Sequence, residues 1–166
     1  HMGPTELCPS AMFFGADTVK HVPKGWGYEK WIQNNKKYCG KHLHVAQGRR
    51  CSLHGHINKH ETFHVVRGKL RLWIIDERHV IGSVKEDGIE GIADVIACTL
   101  ESKNRRHSDL LETDFGQQYI LEPGHSFVIP PGVFHQFYAV EQCDFFEFST
   151  PHYDNDVIRL LPGDSL

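Results

Sequence analysis

Two stretches of the sequence bring together residue types that bind borderline divalent metals. In the first, His54 and His56 are two residues apart, and Glu61 follows after four more. Side chains on a strand alternate between its faces, so the two imidazoles point the same way. A short turn through Asn58 and Lys59 starts the next strand near Glu61, beside that pair. In the second stretch, Pro130-Pro131-Gly132 forces a tight turn, and His135 lies just inside the strand that follows, where a fourth ligand can enter. Imidazoles plus a carboxylate make a donor set for Mn, Zn, Co or Fe. A lone histidine is more often a surface or core residue. Four candidate ligands spaced jointly with Gly and Pro markers are not explained that way.

The elements that must position these residues are short. Runs of β-forming residues cover 41–47, 50–57, 62–67, 70–75, 118–121, 126–129, 134–140 and 144–149, separated by Gly- and Pro-containing turns. That rhythm predicts an all-β antiparallel sandwich or barrel in one domain over residues 1–166, preceded by an N-terminal arm at 1–23. Residues 76–117 break the rhythm: polar and glycine-containing, they read as an insertion between two barrel halves and a candidate lid, with one helix expected near 92–100. His64 falls on the opposite face from Glu61 and His60 sits at the turn, so neither is taken as a ligand. His42 and His44 can reach the cavity or lie outside it.

Composition narrows the function. A net charge of −3 supplies no basic field, so nucleic acid is not expected as a partner. No apolar run approaches the ~20 residues of a membrane span. The five cysteines are odd in number and form no CxxC, which reads as reduced thiols in a cytoplasmic protein.

Both metal-binding stretches match the two cupin motifs, G-x5-H-x-H-x4-E-x6-G from Gly48 to Gly68 and G-x5-P-x-G-x2-H from Gly124 to His135. Ala139, where many cupins carry Asn, is the one departure. The resemblance covers roughly 24–160 apart from the insertion. It implies a double-stranded β-helix (jelly-roll) barrel holding one divalent ion on His54, His56, Glu61 and His135. The flanks Lys24-Gly25-Trp26-Gly27-Tyr28 and Glu147-Phe148-Ser149-Thr150, the latter continuing to Asp154, Asp156 and Arg159, are similar to the cupin domain of type II phosphomannose isomerases and to D-lyxose/mannose isomerases. Gly25 stands where that family usually has Pro. The resemblance maps Lys41 and Glu147 onto the family's lysine and exit carboxylate. It implies a small-molecule sugar substrate, left open as free, phosphorylated or nucleotide-linked, and a homodimer that covers sheet edges. In this reading Glu147 is the base, its pKa raised by a partly apolar barrel, and Lys41 steadies substrate oxygens.

The residues alone leave Glu147 free to face in or out among Phe145, Phe146 and Phe148, and allow Lys41 to be a surface lysine. Asp154, Asp156 and Arg159 read equally well as a solvated turn. Trp26, Tyr28, Trp31, Trp73, Phe127, Phe137 and Tyr138 can stack on a sugar ring, though most of them are more simply core. The competing functions are an Fe(II)-dependent cupin dioxygenase, a nucleotide-sugar epimerase and a non-catalytic sugar-binding cupin.

Overall fold

The computed structural model describes residues 3–76, 88–102 and 116–166. Nine strands are present among them: β1 (Lys20–Lys24), β2 (Gly27–Asn34), β3 (Cys39–Val45), β4 (Leu53–His56), β5 (Glu61–Ile75), β6 (Gln117–Leu121), β7 (Ser126–Ile129), β8 (Phe134–Ser149) and β9 (Val157–Leu161). They form a curled antiparallel sheet in the order β1-β2-β3-β8-β4-β9, with β5 pairing β6, β7 and β8. The result is an all-β architecture with little helix.

Three expectations are corrected. The arm at 1–23 is not wholly outside the sheet, because its last residues from Lys20 form β1 against β2. The breaks expected near 68 and 140–143 are not breaks, and β5 and β8 each run through them. At Gly68 (φ +88°) the chain bends, and a Cβ there would meet the Gln142 carbonyl oxygen at 1.9 Å. Register shifts from Val65 to Leu70 let the β5–β8 pair curl at this point instead of ending. The third correction concerns the insertion, whose described part is α1 (Gly88–Ser102), longer than the helix expected at 92–100. Gln117, at its far end, already belongs to β6.

α1 packs behind the sheet. Its Ala93, Ile96 and Leu100 join Leu53, Trp73, Ile75 and Phe134 in one buried cluster. The lid expected of this insertion does not describe α1, and the rest of the insertion lies outside the described residues. The double burial explains why 70–75 is nearly all apolar: Leu70, Leu72 and Ile74 face the inner core with Phe63, Phe137 and Phe145, while Trp73 and Ile75 face the helix. Among the described residues, no helix is long and apolar enough to cross a membrane, and all five cysteines are free.

Strand β3 shows a clean alternation, with Cys39, Lys41, Leu43 and Val45 buried inward. His42 and His44 therefore lie on the outer face, where both touch Asp144 Oδ1, at 2.8 and 2.9 Å. Arg67 donates to Oδ2 from Nε at 3.0 Å and from its terminal nitrogen at 2.8 Å. Burial pushes the Asp144 carboxyl up, but hydrogen bonds from His44, Arg67 and His42 outweigh this and hold it at about 2. A carboxyl depressed on folding stabilises the protein above its unfolded pKa near 4 and loses that contribution as pH falls toward 2. Asp144→Asn is therefore expected to flatten the fall in melting temperature between pH 4 and 2, an effect of about 1–2 kcal/mol. Parallel acid melts of the two proteins check it.

Candidate metal centre

The ligand candidates come from three strands that meet at one end of the cavity. His54 and His56 share the inner face of β4, and His54 pairs directly with His135 on β8. Glu61 opens β5. The turn before β8 is tied to β4 by Gly132 N–H donating to the His56 carbonyl at 2.8 Å, which brings His135 to the pair from sequence far away. One ring nitrogen from each of His54, His56 and His135 lies within 4.8 Å of the others. Glu61, 1% exposed, places Oε1 2.9 Å from His135 Nε2 and Oε2 3.8 Å from His56 Nε2.

The hydrogen bonds around the rings decide what these atoms can be. Each Nδ1 meets a backbone carbonyl, which can only accept: Ser52 for His54 at 2.8 Å, Asp156 for His56 at 3.0 Å and Val133 for His135 at 3.0 Å. Nδ1 is therefore the protonated nitrogen, and in a neutral ring Nε2 carries a lone pair; the Nε2 atoms of His56 and His135 face Glu61. Burial, then His135 and His56, push the His54 pKa well below its usual value, and burial followed by Lys59 lowers His56 to about 3. Both rings are neutral at pH 7, the form a metal requires. His135 Nε2 and both Glu61 oxygens are buried without a hydrogen-bond partner. Buried polar atoms are seldom left unpaired, and here three converge on one point. Two ligands at right angles on an ion ~2.1 Å away stand ~3 Å apart, close to the Glu61–His135 separation. The residues fit a divalent cation.

This site lines a cavity of about 690 Å³ whose wall also carries Glu147, Lys41, Lys59, His152 and Glu29. Glu147 faces inward, 6% exposed, with Phe146 and Phe148 on the outer face. Lys41 is likewise inside, 3% exposed. Neither is a surface residue. The raised pKa expected for Glu147 is a further correction. Burial does push it up, but the ammonium of Lys59 at 3.3 Å, then Lys41, outweigh this and hold the carboxyl well below the usual carboxylate range.

Sequence reasoning missed Lys59 and His152. Lys59 Nζ donates to Glu147 Oε2 at 3.3 Å and to His152 Nδ1 at 2.9 Å, and lies 3.9 Å from Glu61 Oε2. Burial lowers its pKa, but Glu147 and Glu61 more than restore it, so it stays charged. His152 is pushed down to about 4 by burial, then by Lys41 and Lys59, and its Nε2 lies 3.0 Å from Asp154 Oδ1. Glu29, also missed, joins Lys41 at 3.5 Å. Asp156 is buried rather than solvated. Its carboxylate accepts the backbone N–H of Asn58 and Lys59 at 2.8 and 2.9 Å, fixing the turn that delivers Glu61. Of the aromatics, Trp26, Trp31 and Phe137 line the cavity, whereas Trp73 faces α1 and Tyr28 stacks on His44 outside.

A curled antiparallel sheet with three histidines and a carboxylate converging on its inner wall defines a small β-barrel protein equipped to bind a divalent metal. The sequence matches the family model described as Cupin over residues 19–165, and the chain belongs to the cupin family. Among solved structures, KdgF from Halomonas sp. is similar with a TM-score of 0.56 at 16% identity, covering 87% of this chain and 98% of that one. Oxalate decarboxylase from Bacillus subtilis gives 0.61 at 15%, over 94% of this chain and 34% of that one. CapF, solved with the inhibitor 3-isopropenyl-tropolone, gives 0.57 at 14%, over 86% and 34%. The chain thus spans about a third of the last two, and likeness at such identities bears on fold alone. No curated protein matches the sequence.

Proposed function

We propose that this cupin is a metal-dependent isomerase that interconverts an aldose and a ketose, free or phosphorylated. The observation that carries the reading is the position of Lys59, which links Glu61, beside the three histidines, to a second, ionised carboxylate, Glu147, in the same cavity.

Isomerisation removes a proton from the carbon beside a carbonyl and returns it to the neighbouring carbon. A bound divalent ion supplies Lewis-acid stabilisation for the negative charge that develops on the two substrate oxygens. Glu147 is the one that accepts the proton. It is ionised, and therefore able to, although its two lysine neighbours weaken it as a base. Substrate oxygens that gather negative charge compete for Lys59 and Lys41, which frees the carboxylate as the reaction proceeds. The contacts from Lys59 through His152 to the exposed Asp154 give the proton a path to solvent.

The test is incubation of protein loaded with Mn(II), Co(II) or Zn(II) with aldoses, ketoses and their phosphates in deuterated water, followed by NMR. Deuterium at C2 of a substrate is expected. No exchange across the panel would overturn the isomerase reading.

A further inference from the structure

Among the described residues, Arg159 is a cavity-lining cation with no carboxylate partner. Strand β9 alternates so that Ile158 and Leu160 pack with the α1 cluster while Val157 and Arg159 line the cavity. Arg159 pairs in register with His54, and cross-strand partners share a face. The other lysines of the cavity wall are matched: Lys24 and Lys41 both reach Glu29, at 4.0 and 3.5 Å, and Lys59 reaches Glu147 at 3.3 Å. Among the described residues, no carboxylate lies within ion-pair distance of Arg159. The wall holds four Lys and Arg side chains against five carboxylates, so a dication on the histidines and Glu61 leaves a net charge of +1.

We infer that Arg159 is an anion subsite, and that the sugar substrate carries an oxyanionic group, a phosphate ester or a carboxylate, held there while its carbonyl end meets the metal centre. This rests on the isomerase reading for the sugar, but not for the charge. A guanidinium presents a planar fork of donors that matches two oxygens of either group, and its exposed position at the cavity mouth spares it desolvation while it waits for one.

Calorimetry on the metal-loaded protein with D-mannose, D-mannose 6-phosphate and D-mannuronate tests it. At least one charged ligand is expected to bind about tenfold tighter than D-mannose. Arg159→Met should narrow that gap to under about twofold with metal content unchanged, and added salt should narrow it in the wild type. A gap at the phosphate alone identifies a sugar phosphate, and one at the carboxylate alone a sugar acid. Equal affinities, a gap that survives Arg159→Met, or no binding by any of the three overturns the subsite. Charge-selective binding without deuterium exchange would sink the isomerase reading and leave the subsite standing. Exchange without charge selectivity would do the reverse.

Discussion

Replacing His54 with alanine is expected to lower divalent-metal affinity by at least about a hundredfold while the barrel stays folded. Loss of a mere supporting hydrogen bond to a ligand already costs ten- to a hundredfold in other sites, and here a whole donor is removed. His54 is the right choice for folding reasons. It is less enclosed than His135, which is fully buried, so truncation opens onto the cavity rather than leaving a sealed hole. Elemental analysis after dialysis and competition titration read the affinity, and circular dichroism checks the fold. Because the ion binds only the folded chain, added metal should raise the wild-type melting temperature and leave that of the variant nearly unmoved. Unchanged occupancy in His54→Ala would place the metal elsewhere.

The second large effect belongs to Glu147→Gln. As the proton acceptor of the proposed reaction, its loss should cut turnover by about 10²–10⁴-fold, with the effect in kcat and little in KM. Metal content should hold, since Glu147 reaches Glu61 only through Lys59. Stability will fall too. Removing one partner from a buried charge pair costs about 3–5 kcal/mol, although here Glu61 and His152 remain near Lys59 and soften the loss. The two effects separate in the kinetics. If kcat survives in folded Glu147→Gln, the carboxylate is a counter-ion to the lysines and another group takes the proton.

The convergence of the candidate ligands was legible because it is written in local spacing. Two histidines two apart on one strand, a carboxylate at the start of the next and a Pro-Gly turn before His135 need only the pleat of a strand and the stiffness of a turn to be read. Lys59 and His152 had no such signal. Lys59 sits in a turn, where a lysine is ordinarily solvated. Its backbone is drawn inward by the Asp156 carboxylate, 97 residues further along the chain. His152 lies in irregular chain after β8, held by Asn34, whose side chain accepts from its N–H at 2.9 Å and donates to its carbonyl at 3.1 Å. Contacts of this range leave no periodicity to detect.

The same limit explains the miscounted strands. Gly68 is a turn residue by type, yet its positive φ and close approach to Gln142 serve a bend inside a continuous ladder. Gly25 likewise answers to a contact that the sequence does not disclose. A Cβ there would meet the Asp164 carbonyl at 2.2 Å, so the C-terminal segment needs a residue without one.

Leu53 and His54 are neighbours on β4, and Phe134 and His135 are neighbours on β8; in each pair one residue packs with α1 and the other turns to the cation site. The partition between helix and ligands is thus a single layer of backbone. A change in the α1 face that packs on Leu53 and Phe134 therefore presses on the backbone that carries His54 and His135, and can shift the candidate ligands without replacing any of them.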